Sequence, residues 1–281
     1  MFSIPISDFE VSNRFRFVFI GGPCAIESMD HSLFMCEKIK NICAKLKINY
    51  IFKSSFDKSN RTSIRGKRGV GMDEGLKILE QVRLKLDVPI LTDVHLPDQC
   101  QIVASIVDVL QIPAFLCRQT DLLEAAAKTK KVINVKKGQF IAPNDVNGII
   151  EKLEHFGSTN MMICERGTCF GYNNLVNDFR GIAIMAKTGY PVIFDATHSV
   201  QMPSANGDSS GGEREFVPIL ARAAVAVGVA GIFMEVHDNP DAAPCDGPNM
   251  IHLEKLEQTL TELVALDDVV KNMVGVSKNG L

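Results

Sequence analysis

A parallel (β/α)8 barrel is the fold the sequence predicts, and three observations predict it. Short apolar runs rich in β-branched and aromatic residues recur at Phe17–Ile20, Tyr50–Phe52, Ile90–Thr92, Val109–Ile112, Val132–Val135, Met161–Ile163, Val192–Phe194 and Ile232–Glu235. Each is apolar throughout instead of alternating, the pattern of a strand covered on both faces. Helical spacing separates most of them, and a chain of 281 residues matches the length of one such barrel, about 250 residues. A doubly wound sheet is the runner-up, but no Gly-x-Gly-x-x-Gly follows the first run, so it lacks support.

Taken in order, the first fourteen residues precede the first strand and are predicted to cap the barrel bottom. After that strand, Cys36, Ile39, Cys43 and Leu46 fall on one helix face. After the second, Leu76, Leu79, Val82 and Leu86 do the same. Asn144 is placed to cap a helix carrying Val146, Ile149, Ile150 and Leu153, with Gly157 as its stop. Glu213 to Val229 carries Phe216, Ile219, Leu220, Ala223 and Val227 at helical spacing. Each stripe reads as core packing. No linker, low-complexity segment or internal repeat divides the chain, so residues 1–281 are read as a single domain.

Composition narrows the function. Hydrophobic residues make up 46% of the chain, enough for a sizeable core, and the net charge is −3. That balance argues against nucleic-acid binding, which needs a broad basic footprint. The chain has 8 cysteines without a Cys-x-x-Cys pair and no secretion-signal pattern at its start, so reduced thiols in the cytoplasm are expected. The longest apolar-and-glycine run, Ala223 to Met234, is too short to span a bilayer, and no membrane role is expected.

Polar and charged residues follow nearly every strand: Cys24, Lys53, Asp93, His95, Gln111, Lys136, Arg166, His198 and Glu235. In a barrel these ends converge on one face, where such folds carry their chemistry. The densest cluster is Lys53-Ser-Ser-Phe-Asp-Lys-Ser-Asn-Arg-Thr-Ser63, with Arg65 just beyond. Cations and short hydrogen-bonding groups leaving a buried strand suit an anionic small molecule. Lys53, Lys58, Arg61, Arg118, Lys136 and Arg166 are the candidate cations. Lys137 would point away from Lys136 on a strand and reads as structural.

Cys24, His198, Glu235 and Asp246 end or follow the first, seventh and eighth strands. A thiolate, an imidazole and two carboxylates make a candidate site for a divalent metal ion, leaving zinc, ferrous iron, manganese and cobalt open. Cys245 adjoins Asp246 and is the less favoured donor. His237 is placed on the Glu235 side of its strand. His31, His155 and His252 fall on helical or surface stretches and read as structural. The segment Ser199 to Glu213, rich in Ser, Gly and Asn, suits either a mobile lid or an ordinary loop.

The Lys53–Ser63 stretch resembles the signature of the 3-deoxy-D-manno-octulosonate 8-phosphate synthases. Further blocks resemble that family in the same order: Gly22-Pro-Cys-Ala-Ile-Glu-Ser28, Leu91-Thr-Asp-Val-His95, Gln111-Ile-Pro-Ala-Phe-Leu-Cys-Arg-Gln-Thr120, Asn134-Val-Lys-Lys-Gly-Gln-Phe140, Cys164-Glu-Arg-Gly167 and Phe194-Asp-Ala-Thr-His198. The family joins phosphoenolpyruvate to arabinose 5-phosphate, a step toward lipopolysaccharide precursor. The resemblance implies that Lys136 and Arg166 hold the phosphoenolpyruvate phosphate. Lys53, Ser55 and Lys58 would hold its carboxylate end, with Gln111 nearby. Asn60, Arg61 and Thr62 would meet the sugar phosphate, Asp93 would line the substrate site, and His95 would lie near the sugar. Arg118 would sit near a subunit contact of a homotetramer and serve a neighbouring site. Lys53, Lys58, His198 and Asp246 are the expected catalytic group.

Metal-dependent members of that family carry cysteine where Cys24 stands, and the resemblance therefore implies the metal-dependent class. The related synthase that uses erythrose 4-phosphate typically reads Lys-Pro-Arg-Thr in its sugar loop. Here that place reads Lys58-Ser-Asn-Arg-Thr62, which favours the five-carbon sugar. Sialic acid synthases usually append a C-terminal domain for which the tail beyond Met250 is too short. A non-catalytic sugar-phosphate-binding barrel is the alternative of a different class.

Overall fold

The structure, a computed structural model, describes residues 1–61, 63–204 and 210–276. Eight parallel strands form its centre: β1 (Val18–Gly22), β2 (Tyr50–Lys53), β3 (Ile90–Asp93), β4 (Val109–Ile112), β5 (Val132–Lys136), β6 (Met161–Glu165), β7 (Val192–Asp195) and β8 (Gly231–His237). Each pairs with the next in sequence, and β8 pairs with both β7 and β1, closing the ring. Every residue of these strands is buried, which is why they carry unbroken apolar runs and not alternation.

The helices are α1 (Met29–Lys45), α2 (Met72–Leu86), α3 (Pro97–Ala104), α4 (Thr120–Lys128), α5 (Val146–His155), α6 (Arg180–Ala186), α7 (Val217–Val227) and α8 (Leu253–Val276). Ser28 caps α1 by accepting from the His31 backbone N–H. Its inner face buries Met35, Cys36, Ile39 and Cys43. Strand-to-helix order thus follows the predicted barrel throughout.

The N-terminal segment behaves as the expected cap. Ile4–Ile6 and Phe9–Val11 form an antiparallel hairpin. Phe2 stacks on Tyr190, and Asn13 exchanges hydrogen bonds with Tyr190 and Val192 at the start of β7. These contacts tie the segment to the amino ends of the strands, opposite the polar residues.

Two local expectations are corrected. Asp145, not Asn144, occupies the position before α5, because Pro143 first draws the chain into a 3₁₀ turn and shifts the helix start by one residue. The predicted apolar residues of α5 are buried, and Gly157 follows with φ 80°. On α7 the buried residues are Val217, Ala221, Ala224 and Val225, whereas Phe216, Ile219 and Val227 are exposed. This helix is apolar nearly all round, so spacing alone does not identify its inward face. The small Ala221 and Ala224 face inward and allow close packing.

Among the described residues, no helix is long and apolar enough to cross a membrane.

Candidate active site

The carboxyl ends of the strands meet around one cleft. Its lining includes Lys53, Lys58, Asn60, Arg61, Asp93, His95, Gln111, Lys136, Arg166, His198 and Asp246. Residues scattered over almost two hundred positions of sequence are therefore neighbours, as parallel closure requires. Ser55 lies just beneath, where its hydroxyl bonds Asp93.

Along β2, β3, β4 and β5 the cleft floor is a chain of polar side chains. Asn134 donates to Gln111 Oε1 at 2.8 Å, and Gln111 donates to Asp93 Oδ1 at 2.6 Å. The β3–β4 register places Asp93 directly opposite Gln111. Burial opposes the Asp93 charge, but Lys53 and Lys58 outweigh it and hold the carboxyl below its ordinary range.

The cations are matched by carboxylates. Lys53 Nζ donates to Glu235 Oε1 at 2.9 Å, and Lys58 Nζ lies 3.7 Å from the same oxygen. Burial alone would raise the Glu235 pKa, yet Lys53, His198 and Lys58 lower it to about 2. Lys136 pairs with Asp195 and sits 3.5 Å from the Phe233 ring centroid. Arg166 is buried, and its Nη1 has no hydrogen-bond partner among the described residues. An unpaired buried guanidinium nitrogen at a cleft is a donor awaiting an anion. Lys137 points away, toward Glu165 and the Ile141 carbonyl.

The metal-ligating types converge as well. His198 Nε2 lies 3.6 Å from Glu235 Oε1 and 3.9 Å from Asp246 Oδ2. Cys24 Sγ is 3.0 Å from Asp246 Oδ2. His198 Nδ1 is fixed at 2.7 Å from Asp195 Oδ2, the outer partner that orients a ligating imidazole. Glu235 Oε2 is buried without a hydrogen-bond partner among the described residues, the kind of orphan acceptor that a cation would satisfy. Burial, then Cys245, Asp246 and Glu235, push the Cys24 thiol up, so its proton is held unless a cation replaces it. The donor set fits a divalent ion.

Residues 7–272 match the DAHP synthetase I family. The chain is 58% identical over 268 residues to a Rickettsia bellii (strain OSU 85-389) protein named 2-dehydro-3-deoxyphosphooctonate aldolase, covering 95% of this chain and 98% of that one. A protein of the same name from Rickettsia prowazekii (strain Madrid E) is 56% identical over 271 residues, covering 96% and 98%. The Rickettsia typhi (strain ATCC VR-144 / Wilmington) relative is 55% identical over 268 residues, covering 95% and 98%. The chain belongs to this aldolase family. It is an aldol-type synthase, and 2-dehydro-3-deoxyphosphooctonate aldolase is another name for the synthase its motifs resemble.

Two of the residues singled out from the sequence, Arg118 and His237, stand apart from the cleft. Arg118 is exposed, does not line the cavity, and offers its carbonyl to Lys152. Thr62 and residues 205–209 of the predicted lid lie outside the described residues. The ends of that segment are joined by pairing of Gln201–Met202 with Gly211–Gly212. His237 bonds Glu27 and not the Glu235 cluster.

Other neighbours were not singled out from sequence. Asp195 stood in a recognised block at a strand end, so the strand-end rule was enough to find it. Gln201 joins Arg166 to Asp246, accepting at 3.2 Å and donating at 3.0 Å. Only the folded loop reveals it. Cys245 Sγ lies 2.6 Å from Cys24 Sγ, closer than its place beside Asp246 suggested.

Proposed function

We propose that this cleft condenses phosphoenolpyruvate with D-arabinose 5-phosphate and water, giving 3-deoxy-D-manno-octulosonate 8-phosphate and inorganic phosphate. The observation that carries the reading is the convergence of Lys53, Lys58, Lys136, Arg166 and Arg61 on one cleft, enough fixed cations for two phosphates and a carboxylate. The curated relatives carry the name of that activity.

In this reading, Lys136 and Arg166 hold the phosphoenolpyruvate phosphate, with Arg166 Nη1 available to donate. Lys53, Ser55 and Lys58 face its carboxylate, and Gln111 and Asp93 complete the floor. Asn60 and Arg61 meet the sugar phosphate at the mouth. The C3 carbon of phosphoenolpyruvate attacks the aldehyde of the open-chain sugar while water adds at C2. The resulting hemiketal phosphate loses phosphate by C–O cleavage. Holding both partners in line removes much of the entropic barrier. His95 also faces the cleft; burial lowers its pKa, against the pull of Asp93, and favours the neutral ring.

Cys24, His198, Glu235 and Asp246 would hold a divalent metal. Such an ion supplies Lewis-acid polarisation of an oxygen of the aldehyde or the water. The chain's own contribution is Asp195, which fixes the His198 ring, and Gln201, which links Asp246 to Arg166. A homotetramer in the cytoplasm, serving lipopolysaccharide precursor synthesis, completes the proposal.

The test is inorganic phosphate release from phosphoenolpyruvate, run in parallel with arabinose 5-phosphate and erythrose 4-phosphate under added manganese. Release with the five-carbon sugar alone is expected. Preference for erythrose 4-phosphate would move the chain to the related synthase, and release with neither would overturn the catalytic reading.

A further inference from the structure

A second cluster of metal-ligating side chains stands outside the cleft, on the rim between β8 and β1. Glu27 precedes α1, His31 lies in its first turn, and His237 and Asp238 end β8 and begin the following turn. One ligating atom each from Glu27, His31 and His237 lies within 4.8 Å of the others. The two imidazole rings are 4.7 Å apart between centroids.

The orientation of the rings is the telling feature. Each turns one nitrogen toward Glu27 and the other toward Asp238. His237 Nε2 is 2.6 Å from Glu27 Oε1, and His31 Nδ1 is 3.9 Å from the same oxygen. On the far side, His31 Nε2 and His237 Nδ1 lie 3.0 Å and 3.1 Å from a single atom, Asp238 Oδ1. His31 Nδ1 is buried and has no hydrogen-bond partner among the described residues. A ring of structural hydrogen bonds would not leave that lone pair unused. Two histidines and a glutamate, with a carboxylate behind the rings, is instead the arrangement of a ligand set with its outer support.

We propose that Glu27, His31 and His237 form a second divalent-metal site, of the zinc class, with Asp238 as the shared orienting carboxylate. The ion takes the place of the proton between His237 Nε2 and Glu27. The neutral His237 ring then carries its proton on Nδ1, toward Asp238. The Asn239 N–H, which donates to His237 Nδ1 at 2.9 Å, gives up that acceptor. Three protein ligands leave a fourth position open to water or another small donor. Glu27 and Asp238 remain partly exposed, so the site is reached from solvent without entering the cleft. The inference stands on these side chains alone and does not depend on the reaction assigned to the cleft.

The experiment is a titration of chelator-treated full-length protein with Zn²⁺ against a chromophoric competitor, repeated with Co²⁺. Wild type is expected to bind an equivalent that His31→Ala and Glu27→Gln both lose and Cys24→Ser keeps. Both rim variants should retain phosphate-releasing activity within about two-fold, since neither residue belongs to the cleft. With Co²⁺, that equivalent should lack a sulfur-to-metal charge-transfer band, having only nitrogen and oxygen ligands. Asp238→Asn should weaken it by about 10- to 100-fold. Identical zinc stoichiometry in wild type, His31→Ala and Glu27→Gln would overturn the site, as would a thiolate band assigned to the equivalent they lose.

Discussion

The cleft has two halves that are built differently. On the strand side, Lys53, Asp93, Gln111, Lys136, Asp195 and Glu235 stand on the barrel itself and are almost completely buried. Lys53 pairs with Glu235, Lys136 with Asp195, and Gln111 donates to Asp93. On the loop side, Asn60, Arg61, Gln201 and Asp246 come from connecting segments. Arg61 donates to the carbonyls of Lys67 and Pro244, and Asp246 is held by Cys24 and Gln201. Strand register fixes the first half, whereas loop-to-loop hydrogen bonds fix the second. The strand half is therefore electrostatically committed before substrate arrives, and the loop half is adjustable.

The largest effects should follow from breaking the strand half. Lys136→Met removes a cation and leaves the buried Asp195 with only the Thr197 hydroxyl and the His198 ring and backbone N–H as hydrogen-bond partners among the described residues. Deleting one partner of a buried pair costs about 3–5 kcal/mol, which urea unfolding would register. Loss of a preorganised donor lowers turnover by roughly 10²–10³-fold, and kcat/KM for phosphate release should fall at least that far. A variant with normal kcat/KM would remove Lys136 from the anion site. Next comes Cys24→Ser, which joins the halves because its thiol touches Asp246. It should lose tightly held metal in an elemental assay of purified protein. Its activity should fall by more than the roughly 10- to 100-fold seen for an outer partner of a ligand. Full activity in the rigorously metal-free variant would sink the metal proposal.

The same division explains what could be read in the sequence. All eight strands were visible as unbroken apolar runs, because burial on both faces leaves little freedom in composition. Once the strands are placed, parallel closure dictates that Lys53, Asp93, Gln111, Lys136, Arg166 and Glu235 share one mouth. The (β/α)8 barrel and the strand half follow without further information. The loop half does not. Nothing in the spacing of Gln201 shows that it reaches Asp246, and Asp246 itself is placed only by following the eighth strand, with Cys245 beside it as a rival donor. Helix facing failed at α7 for a related reason: where every side is apolar, only packing selects Ala221 and Ala224 over Phe216 and Ile219. Of the rim histidines, His31 reads as structural from its helical stretch and His237 is placed by its sequence beside Glu235; only the fold brings His31 to His237.

A smaller effect is expected on the loop side. Arg61→Ala removes a charged donor worth about 1.5–3 kcal/mol, so KM for arabinose 5-phosphate should rise by roughly 10- to 150-fold. KM for phosphoenolpyruvate should stay near its wild-type value. If both rise together, the guanidinium acts through the Pro244 carbonyl on the Asp246 loop and not on the sugar phosphate.

The smallest effect sharpens the claim that the strand half is charged before substrate binds. The Asp93 carboxyl is held below its ordinary range because Lys53 and Lys58 outweigh its burial. The folded state therefore favours the ionised form more than the unfolded chain does. Its stabilising contribution is fully present above the unfolded value of about 3.9, and is lost as pH falls below that toward the folded value. Asp93→Asn should make the protein less stable at pH 7, but its urea midpoint should decline less steeply than wild type as pH drops from about 5 to 3. Parallel decline of the two proteins would mean that other carboxylates carry the acid sensitivity. Asp93 would then be serving mainly as the hydrogen-bond acceptor of Ser55 and Gln111, a role that a neutral acceptor could fill and that needs no standing charge in the floor of the cleft.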